Sequence, residues 1–500
     1  MFRDINCYPG PEKRQVARAT KIGTTSGWWA RTWRGTGHHG RMIPVVTPEE
    51  MGAIDAAAPE PTDVLIDRAG AAVARAAVGL LGGTYGRRVV VVAGKGNNGA
   101  DGRAAARRLE RRGARVEVLA AGDLPEALPP CDLVIDAAYG TGFHGEWSPP
   151  GPPPSAAVLA VDIPSGIDGL TGEAHGDPWT ADRTVTFAAL KPGLVLRDGP
   201  TRAGAVEVAD IGLDVSSAHA HVVAAGDVAA WVPDRPRDAH KWRAACWVVA
   251  GSPGMTGAAH LAAAGAQRGG AGYVRLSTPG LDRDPGAPTE VVGVELPADG
   301  WADQVLADVD RIAALALGPG LGPDEGAAEQ VRLVVGSADR PPVVVDGDGL
   351  SALADDRDGA LTAPRQADDG PTVVLTPHDG ELARLGADPD APDRLAEVRA
   401  LAAHRGAVVL AKGSPTVVAD PDGRVALVTA GDALLATAGT GDVLTGVIAA
   451  LLAQGMDPFE AAAGGAHLHG RAGALAWRRG LVAGDVAAHL PAALNDLPED

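Results

Sequence analysis

Aromatic residues make up only 4% of the 500-residue chain, four Phe and four Tyr beside ten Trp. Any sizeable core must therefore be filled with Ala, Val and Leu. Cysteine is scarcer still. Cys7, Cys131 and Cys246 are scattered and form no Cys-x-x-Cys pair. That excludes a structural zinc site of the usual spacing and fits a reducing, cytoplasmic compartment. Positive charge is outnumbered, with 44 Lys and Arg against 63 Asp and Glu, a net charge of −19. Such a surface argues against nucleic acid or an anionic membrane as a partner. The longest apolar run, around Val443–Ala453, is too short to span a bilayer.

The first 41 residues lack helical or strand period and an apolar signal-peptide core, and are basic and rich in Gly and Trp. They are expected to be a disordered extension, or the product of a start assigned upstream of Met42; a targeting or binding arm is the alternative. The remaining length suits two domains. "VLIDRAGAAVARAAVGLL" (64–81) has the period of an amphipathic helix, and "RRVVVVAGKGNNGADGRAAARRLERRG" reads as strand, glycine loop and helix. Strand-like segments follow at "ARVEVLAAG", "CDLVIDAAYGTG", "AVLAVDIPSGIDG", "RTVTFAAL" and "GAVEVADIGL". After Leu213 little strand signal remains, and a second alternating series starts at "ACWVVAGSPGMTG". Alternation of this kind predicts parallel α/β sheets whose ligands sit at the strand C-termini. The division is placed after residue 222, giving domains 42–222 and 223–500. The halves share no repeat.

In the first half, Gly94, Gly96 and Gly99 match Gly-x-Gly-x-x-Gly, a weak signal alone. A dinucleotide fold needs an acidic residue at the end of the next strand, whereas Glu117 lies inside it. The pair Asn97-Asn98 with Asp101, at a strand end and helix start, offers donors for phosphate or ribose and a carbonyl for a hard cation. Asp136 and Asp162 each close an apolar strand, and Ser165 follows. Both carboxylates should face the ligand edge; capping of the next segment is the structural alternative.

In the second half, "LLATAGTGDVLTGVIAALLAQG" (434–455) opens a run of small residues onto an apolar helix. Gly439, Thr440 and Gly441 let backbone approach a phosphate, unpaired helix N–H groups face it, and Asp442 is placed to deprotonate an attacking hydroxyl. Four residues alone do not separate this from a plain helix cap. His378 in "LTPHDGEL", Lys412 in "LAKGSPTVV" and the loop 318–322 add candidates. A lone His is more often structural and a lone Lys more often on the surface. His467 and His469 in "HLHG" lie two apart, on different helix faces, and read as core residues rather than a metal pair.

Residues 42 to about 215 resemble the epimerase domain of the NAD(P)H-hydrate repair enzymes, through "NNGADG", "DAAYGTGFHGE", "VDIPSGIDGLTGE" and "TFAALKPGL". The resemblance implies a Rossmann-like three-layer sandwich that interconverts R and S forms of cofactor hydrated at C6 of the nicotinamide ring. It implies substrate contacts at Asn97, Asn98, Gly99, Ala100, Asp101, Gly140, Thr141, Gly142, Phe143, His144, Gly145 and Glu146. It also implies K⁺ on Asn98, Asp136 and Ser165, and Asp162 as substrate ligand and candidate acid/base. Ala100 stands where the family usually has Gly.

Residues 228–495 resemble the dehydratase domain of the same family, of ribokinase-like fold, through "GSPGMTGAAHLAAAGAQRGGAG", "ALGPGLG", "VVDGDGLSAL", "LTPHDGELARL", "LAKGSPTVVADPDGRV", "LATAGTGDVLTGVIAALLAQG" and "AHLHG". The resemblance implies dehydration of the S hydrate (NADHX or NADPHX) with conversion of ADP, or ATP in its place, in the presence of Mg²⁺. Ala258, Gly320, His378 and the catalytic Asp442 would contact the hydrate. Lys412, Gly413, Ser414, Pro415, Thr416 and Gly441 would contact the nucleotide. Trp242 replaces the usual Gly of a His-Lys-Gly motif, and "DGDGL" replaces "DADAL". The alternative is a ribokinase-like small-molecule kinase carrying a non-catalytic ligand-binding domain. A homo-oligomer is compatible with either.

Overall fold

The computed structural model describes residues 42–354 and 373–499. The expectation for residues 1–41 lies outside them. After strand β1 (Ile43–Val45), helix α1 (Pro48–Ala57) starts on a reciprocal cap. Glu50 N–H donates to the Thr47 hydroxyl at 3.2 Å, Thr47 N–H donates to Glu50 Oε2 at 2.8 Å, and Pro48 takes the first helical position. Helix α2 (Thr62–Leu81) carries the periodic stretch expected at 64–81 and stops at Gly82, φ 64°.

The first sheet has six parallel strands: β2 (Arg88–Ala93), β3 (Arg115–Ala120), β4 (Leu133–Ala137), β5 (Ala157–Val161), β6 (Arg183–Phe187) and β7 (Ala205–Ala209). Their order is β3-β2-β4-β5-β6-β7. Helix α3 (Asn97–Glu110) leaves β2 where the order reverses, β3 lying on one side and β4 on the other. A doubly wound sheet opens a crevice at that point. Strands β2, β4, β5 and β6 are almost wholly buried, as a parallel sheet covered on both faces requires, and β2, β4 and β5 are mainly Val, Ile, Leu and Ala.

The second sheet has eleven strands. They are β1, β8 (Ala220–Val222), β9 (Ala245–Val249), β10 (Tyr273–Ser277), β11 (Val292–Gly293), β12 (Ala314–Leu317), β13 (Val343–Val345), β14 (Val373–Leu375), β15 (Val408–Ala411), β16 (Thr416–Ala419) and β17 (Val425–Val428). Their order is β1-β8-β17-β16-β15-β14-β13-β12-β9-β10-β11. The run from β15 to β11 is parallel, and β15-β16-β17 is an antiparallel meander. Strand β8 pairs parallel with β17 and antiparallel with β1. Residues 43–45 and 220–222, both on the N-terminal side of the division expected after 222, therefore belong to the second sheet. Ala220-His221-Val222 has weak strand character by itself, and its two partners impose the conformation. Ile163, Ile167, Leu190 and Leu194 of the first unit share one buried cluster with Ile43, Val222, Trp247 and Leu427.

The core is mainly Ala, Val and Leu, as the composition requires, but Trp247 and Trp301 are fully buried in it. Trp242, the departure from Gly, stacks on Tyr273 with ring centroids 4.3 Å apart. Small residues allow one close helix crossing, of α4 (Gly257–Arg268) with α5 (Thr440–Ala453). A Cβ on Gly446 would lie 1.9 Å from the Ala262 carbonyl oxygen, and one on Gly265 would lie 2.3 Å from that of Val443. Because α5 begins with the Gly-Thr-Gly-Asp turn, this crossing also sets where that turn sits. We predict that Gly446→Ala destabilises the second unit by about 1–3 kcal/mol, the usual range for overpacking. A lowered denaturation midpoint by tryptophan fluorescence would show it, and an unchanged midpoint would refute the crossing as a constraint.

Candidate active sites

The crevice of the first sheet is a cleft of about 950 Å³. Its wall contains Asn97, Asn98, Asp101, Gly140, Thr141, Gly142, Phe143 and Asp162, gathered from loops separated by tens of residues. Gly99, Ala100, His144, Gly145 and Glu146 are not in that wall; the last three are exposed beyond it. The glycine loop is locked by backbone. A Cβ on Gly94 would meet the Ala138 carbonyl oxygen at 1.9 Å, and one on Gly99 would meet that of Gly94 at 2.1 Å. Glu117 is exposed on β3, so the dinucleotide signature lacks its acidic partner.

Asp162 follows β5 with φ 66°, a left-handed conformation uncommon outside glycine. Its Oδ1 accepts from Lys191 Nζ at 2.6 Å and from the Thr186 hydroxyl at 3.0 Å. Lys191, only 1% exposed, also donates to Thr186 Oγ1 and the Phe187 carbonyl, each at 3.0 Å. Reading the sequence by motif missed Lys191 and Asp55, which both line the cleft. A lone Lys just after the apolar strand of "TFAALKPGL" was the available signal; Asp55, on amphipathic α1, gave none. Burial, then the charges of Asp162 and Asp55, push the Asp101 carboxyl up to about 8. Burial also raises Asp55, with Lys191 opposing and Asp162 adding.

Beneath the cleft, Asp136 accepts from the Ser165 hydroxyl at 2.6 Å and from Ser165 N–H at 2.9 Å. Tyr139 N–H donates to Ser165 Oγ at 2.8 Å, and Asn98 Nδ2 donates to the Tyr139 carbonyl at 2.8 Å. The Tyr139 backbone thus ties Asn98 to the Asp136–Ser165 pair. Asn98 Oδ1 is buried and has no hydrogen-bond partner among the described residues. Burial pushes Asp136 up to about 6 against the opposing Ser165 hydrogen bonds.

The second site forms where β13, β14 and β15 end beside the start of α5. Asp346 follows β13, Glu381 lies on the helix Asp379–Arg384 after β14, and Lys412 follows β15. Lys412 Nζ is 2.8 Å from Asp346 Oδ1 and 3.6 Å from Glu381 Oε2. The Thr445 hydroxyl, on α5, donates to Asp346 Oδ2 at 3.0 Å. A Cβ on Gly441 would be 3.6 Å from both Asp346 Oδ2 and Lys412 Nζ, so the glycine turn lies directly on this pair. Burial and the Asp346 charge push Asp442 up to about 6, with Lys412 opposing. Burial lowers Lys412, but the charges and hydrogen bonds of Asp346 and Glu381 outweigh it and the net direction is upward.

His378 caps the Asp379–Arg384 helix: its Nδ1 accepts from Gly380 N–H at 3.0 Å and Glu381 N–H at 3.3 Å. Its side chain remains 56% exposed. Ala258 and Gly320 adjoin, a Cβ on Gly320 lying 3.1 Å from that of Ala258. Lys412 to Thr416 form the tight connection between β15 and β16, with Gly413 and Ser414 exposed. His467 and His469 are buried on α6 (Pro458–Leu475), and burial pushes each down to about 4. Asp346 and Glu381 were not singled out from the sequence, although both lie in quoted motifs.

Two α/β units, each gathering carboxylates around a carboxylate-paired lysine at its strand ends, define a two-centre enzyme of the nucleotide-handling kind. A family model described as NAD(P)H-hydrate dehydratase matches residues 246–495, and one described as YjeF-related protein N-terminus matches 62–127 and 120–193. The bifunctional NAD(P)H-hydrate repair enzyme of Moorella thermoacetica is 37% identical, across 91% of this chain and 97% of that protein. Its namesake from Mycobacterium tuberculosis is 40% identical across 76% and 82%. The chain belongs to the bifunctional NAD(P)H-hydrate repair enzyme family. The Bacillus subtilis ADP/ATP-dependent NAD(P)H-hydrate dehydratase, crystallised with ATP and Mg²⁺, is 30% identical over 55% of this chain and 98% of its own, with a TM-score of 0.46. The alternative of a kinase with a non-catalytic first domain is not favoured, since the bifunctional relatives align through both units.

Removing the lysine would leave two buried carboxylates facing one another. We predict that Lys412→Met destabilises the second unit by about 3–5 kcal/mol, as for a broken buried pair. Urea unfolding at pH 7 checks this, and a loss below 1 kcal/mol would mean that the ion pairs do not organise the site.

Proposed function

We propose that the first cleft epimerises NAD(P)H hydrate at C6 and the second site dehydrates the S form with ADP. The observation that carries this reading is Asp442, a base with its carboxyl raised toward neutrality, at the first turn of α5 and beside the part-buried Lys412. The free N–H groups of that turn suit a phosphate, and Lys412 adds a positive charge next to it. Hydroxide is a poor leaving group, whereas phosphate departs readily. Asp442 takes the proton of the C6 hydroxyl, and that oxygen attacks the terminal phosphorus of ADP, releasing AMP. Phosphate then leaves C6 with the bonding electrons, and loss of a C5 proton restores the ring double bond. Lys412 to Thr416 and Gly441 hold the nucleotide, while Ala258, Gly320 and His378 border the hydrate. Mg²⁺ bound with the nucleotide supplies charge neutralisation for its phosphates, and the carboxylate oxygens beside α5 are the donor type it takes.

In the first unit, Asp162 is the acid/base candidate and Asn97, Asn98 and Asp101 line the substrate. The unsatisfied Asn98 oxygen, with Asp136 and Ser165, makes an all-oxygen set that fits K⁺. When bound, K⁺ supplies positive charge that offsets the burial of Asp136. We place the enzyme in the cytoplasm, in keeping with free, buried Cys131 and Cys246. No helix among the described residues is long and apolar enough to cross a membrane.

A mixed R/S NADH-hydrate preparation with Mg²⁺, K⁺ and ADP tests the reading by recovery of reduced-nicotinamide absorbance. Complete recovery is expected; no recovery with ADP or ATP would defeat it. Asp442→Asn should abolish dehydration and leave epimerisation intact. Because the base must be ionised, the wild-type dehydration rate should climb with pH through about 6. A flat profile from pH 5 to 7 would remove Asp442 as the base. K⁺ should raise the melting temperature of wild type, by the equivalent of about 2.7 kcal/mol at a hundredfold excess over its Kd. Asp136→Asn should lose that response, and an equal response to Na⁺ would count against a K⁺ site.

A further inference from the structure

The epimerase cleft holds more acid than its reading uses. Asp101 lies in the second turn of α3, with its residue 7% exposed, and lines the cleft with Asp162. Asp162 has Lys191 and Thr186 on its Oδ1. Among the described residues no hydrogen bond or ion pair holds the Asp101 side chain, and its oxygens are not sealed off from the cleft. The charged groups of the wall are Asp55 on α1, Lys95 in the glycine loop, Arg103 on α3, Asp123 after β3, Asp162 after β5 and Lys191 after β6. Of these, Asp162 and Asp55 act on Asp101, and both are negative. Arg103 is turned to the Gly94 carbonyl at 2.9 Å, and Lys191 to Asp162. Two carboxyl groups facing one cleft, one paired with an ammonium and one with no cation, are divided into base and acid by their surroundings.

We propose that Asp101 is a second catalytic residue of the epimerase centre, the proton donor that works opposite the Asp162 carboxylate. The proposal rests on the epimerase reading above. The Asp162 carboxylate takes the C6 hydroxyl proton, and the O–H electron pair becomes the second bond of a C6 carbonyl. The C6–N1 bond breaks with its pair moving to N1, and Asp101 gives N1 its proton. Rotation about C5–C6 presents the other carbonyl face. N1 then attacks C6 and returns its proton to Asp101, while the new alkoxide recovers the proton on Asp162. Both carboxyl groups end as they began, and no co-reactant is consumed. The proton on Asp101 persists at neutral pH because burial and its two acidic neighbours hold its carboxyl near 8.

The test uses the full chain, pure R hydrate, ADP and Mg²⁺, with pure S hydrate as the control for the second centre. Asp101→Asn should lower kcat for R recovery by about 100-fold or more, the scale of a lost general acid, with little change in KM. Recovery of the S form should be unchanged. The wild-type R rate should fall above about pH 8, and Asp101→Glu should retain activity with that alkaline limb displaced. A folded carboxyl raised above its unfolded value loses its stabilising contribution as pH rises through the folded value. Asp101→Asn should therefore melt higher than wild type at pH 8, with the gap closing toward pH 4. A purely structural Asp101 would give a lower melting temperature instead. R recovery within threefold of wild type in Asp101→Asn, or an alkaline limb unmoved in Asp101→Glu, overturns the proposal. Wild type that recovers S but never consumes R overturns the epimerase reading itself.

Discussion

Each centre is built on a lysine, buried in the first and part-buried in the second, with more than one carboxylate around it. Lys191 pairs with Asp162 while Asp55 and Asp101 line the same cleft, and Lys412 stands between Asp346 and Glu381 with Asp442 close by. In neither centre does that lysine pair with every carboxylate around it. Burial first, and then the neighbouring negative charge, raises a carboxyl in each site, to about 8 at Asp101 and about 6 at Asp442. Buried like charges are costly, and a fold selected for stability alone would have replaced them with apolar groups. Raised carboxyls gathered at the ends of parallel strands are candidates for proton chemistry.

The scaffold makes that crowding possible. Parallel strands buried on both faces bring residues distant in sequence to a common edge, where ligand sites form. Asp346, Lys412 and the turn before α5 converge for this reason, although nearly 100 residues separate the first from the last. The close α4–α5 crossing fixes the depth of the turn, since Gly446 leaves no room for a Cβ against Ala262. The two units are not beads on a string. Strand β1 leads directly into the first unit yet is hydrogen-bonded into the second sheet, and Val45 bridges Leu190, the neighbour of Lys191.

Much of this was legible in the chain. Apolar runs of β2, β4, β5, β9, β12 and β15, the amphipathic α2 and the Gly-Thr-Gly-Asp helix start are local patterns in which propensity and burial agree. Asn98, Asp136, Asp162, Lys412 and Asp442 could be placed because each ends or follows such a strand or opens such a helix. These are features that near neighbours in the sequence determine by themselves.

Tertiary structure decided the rest. Ala220-His221-Val222 becomes a strand only because β1 and β17 flank it. The pairing of Lys191 with Asp162 and the gathering of Asp55, Asp346 and Glu381 depend on which loop ends share an edge. Strand order settles that, and strand order leaves no local trace. The raised carboxyls of Asp101 and Asp442 have the same origin, because burial and charge act through space and not along the chain.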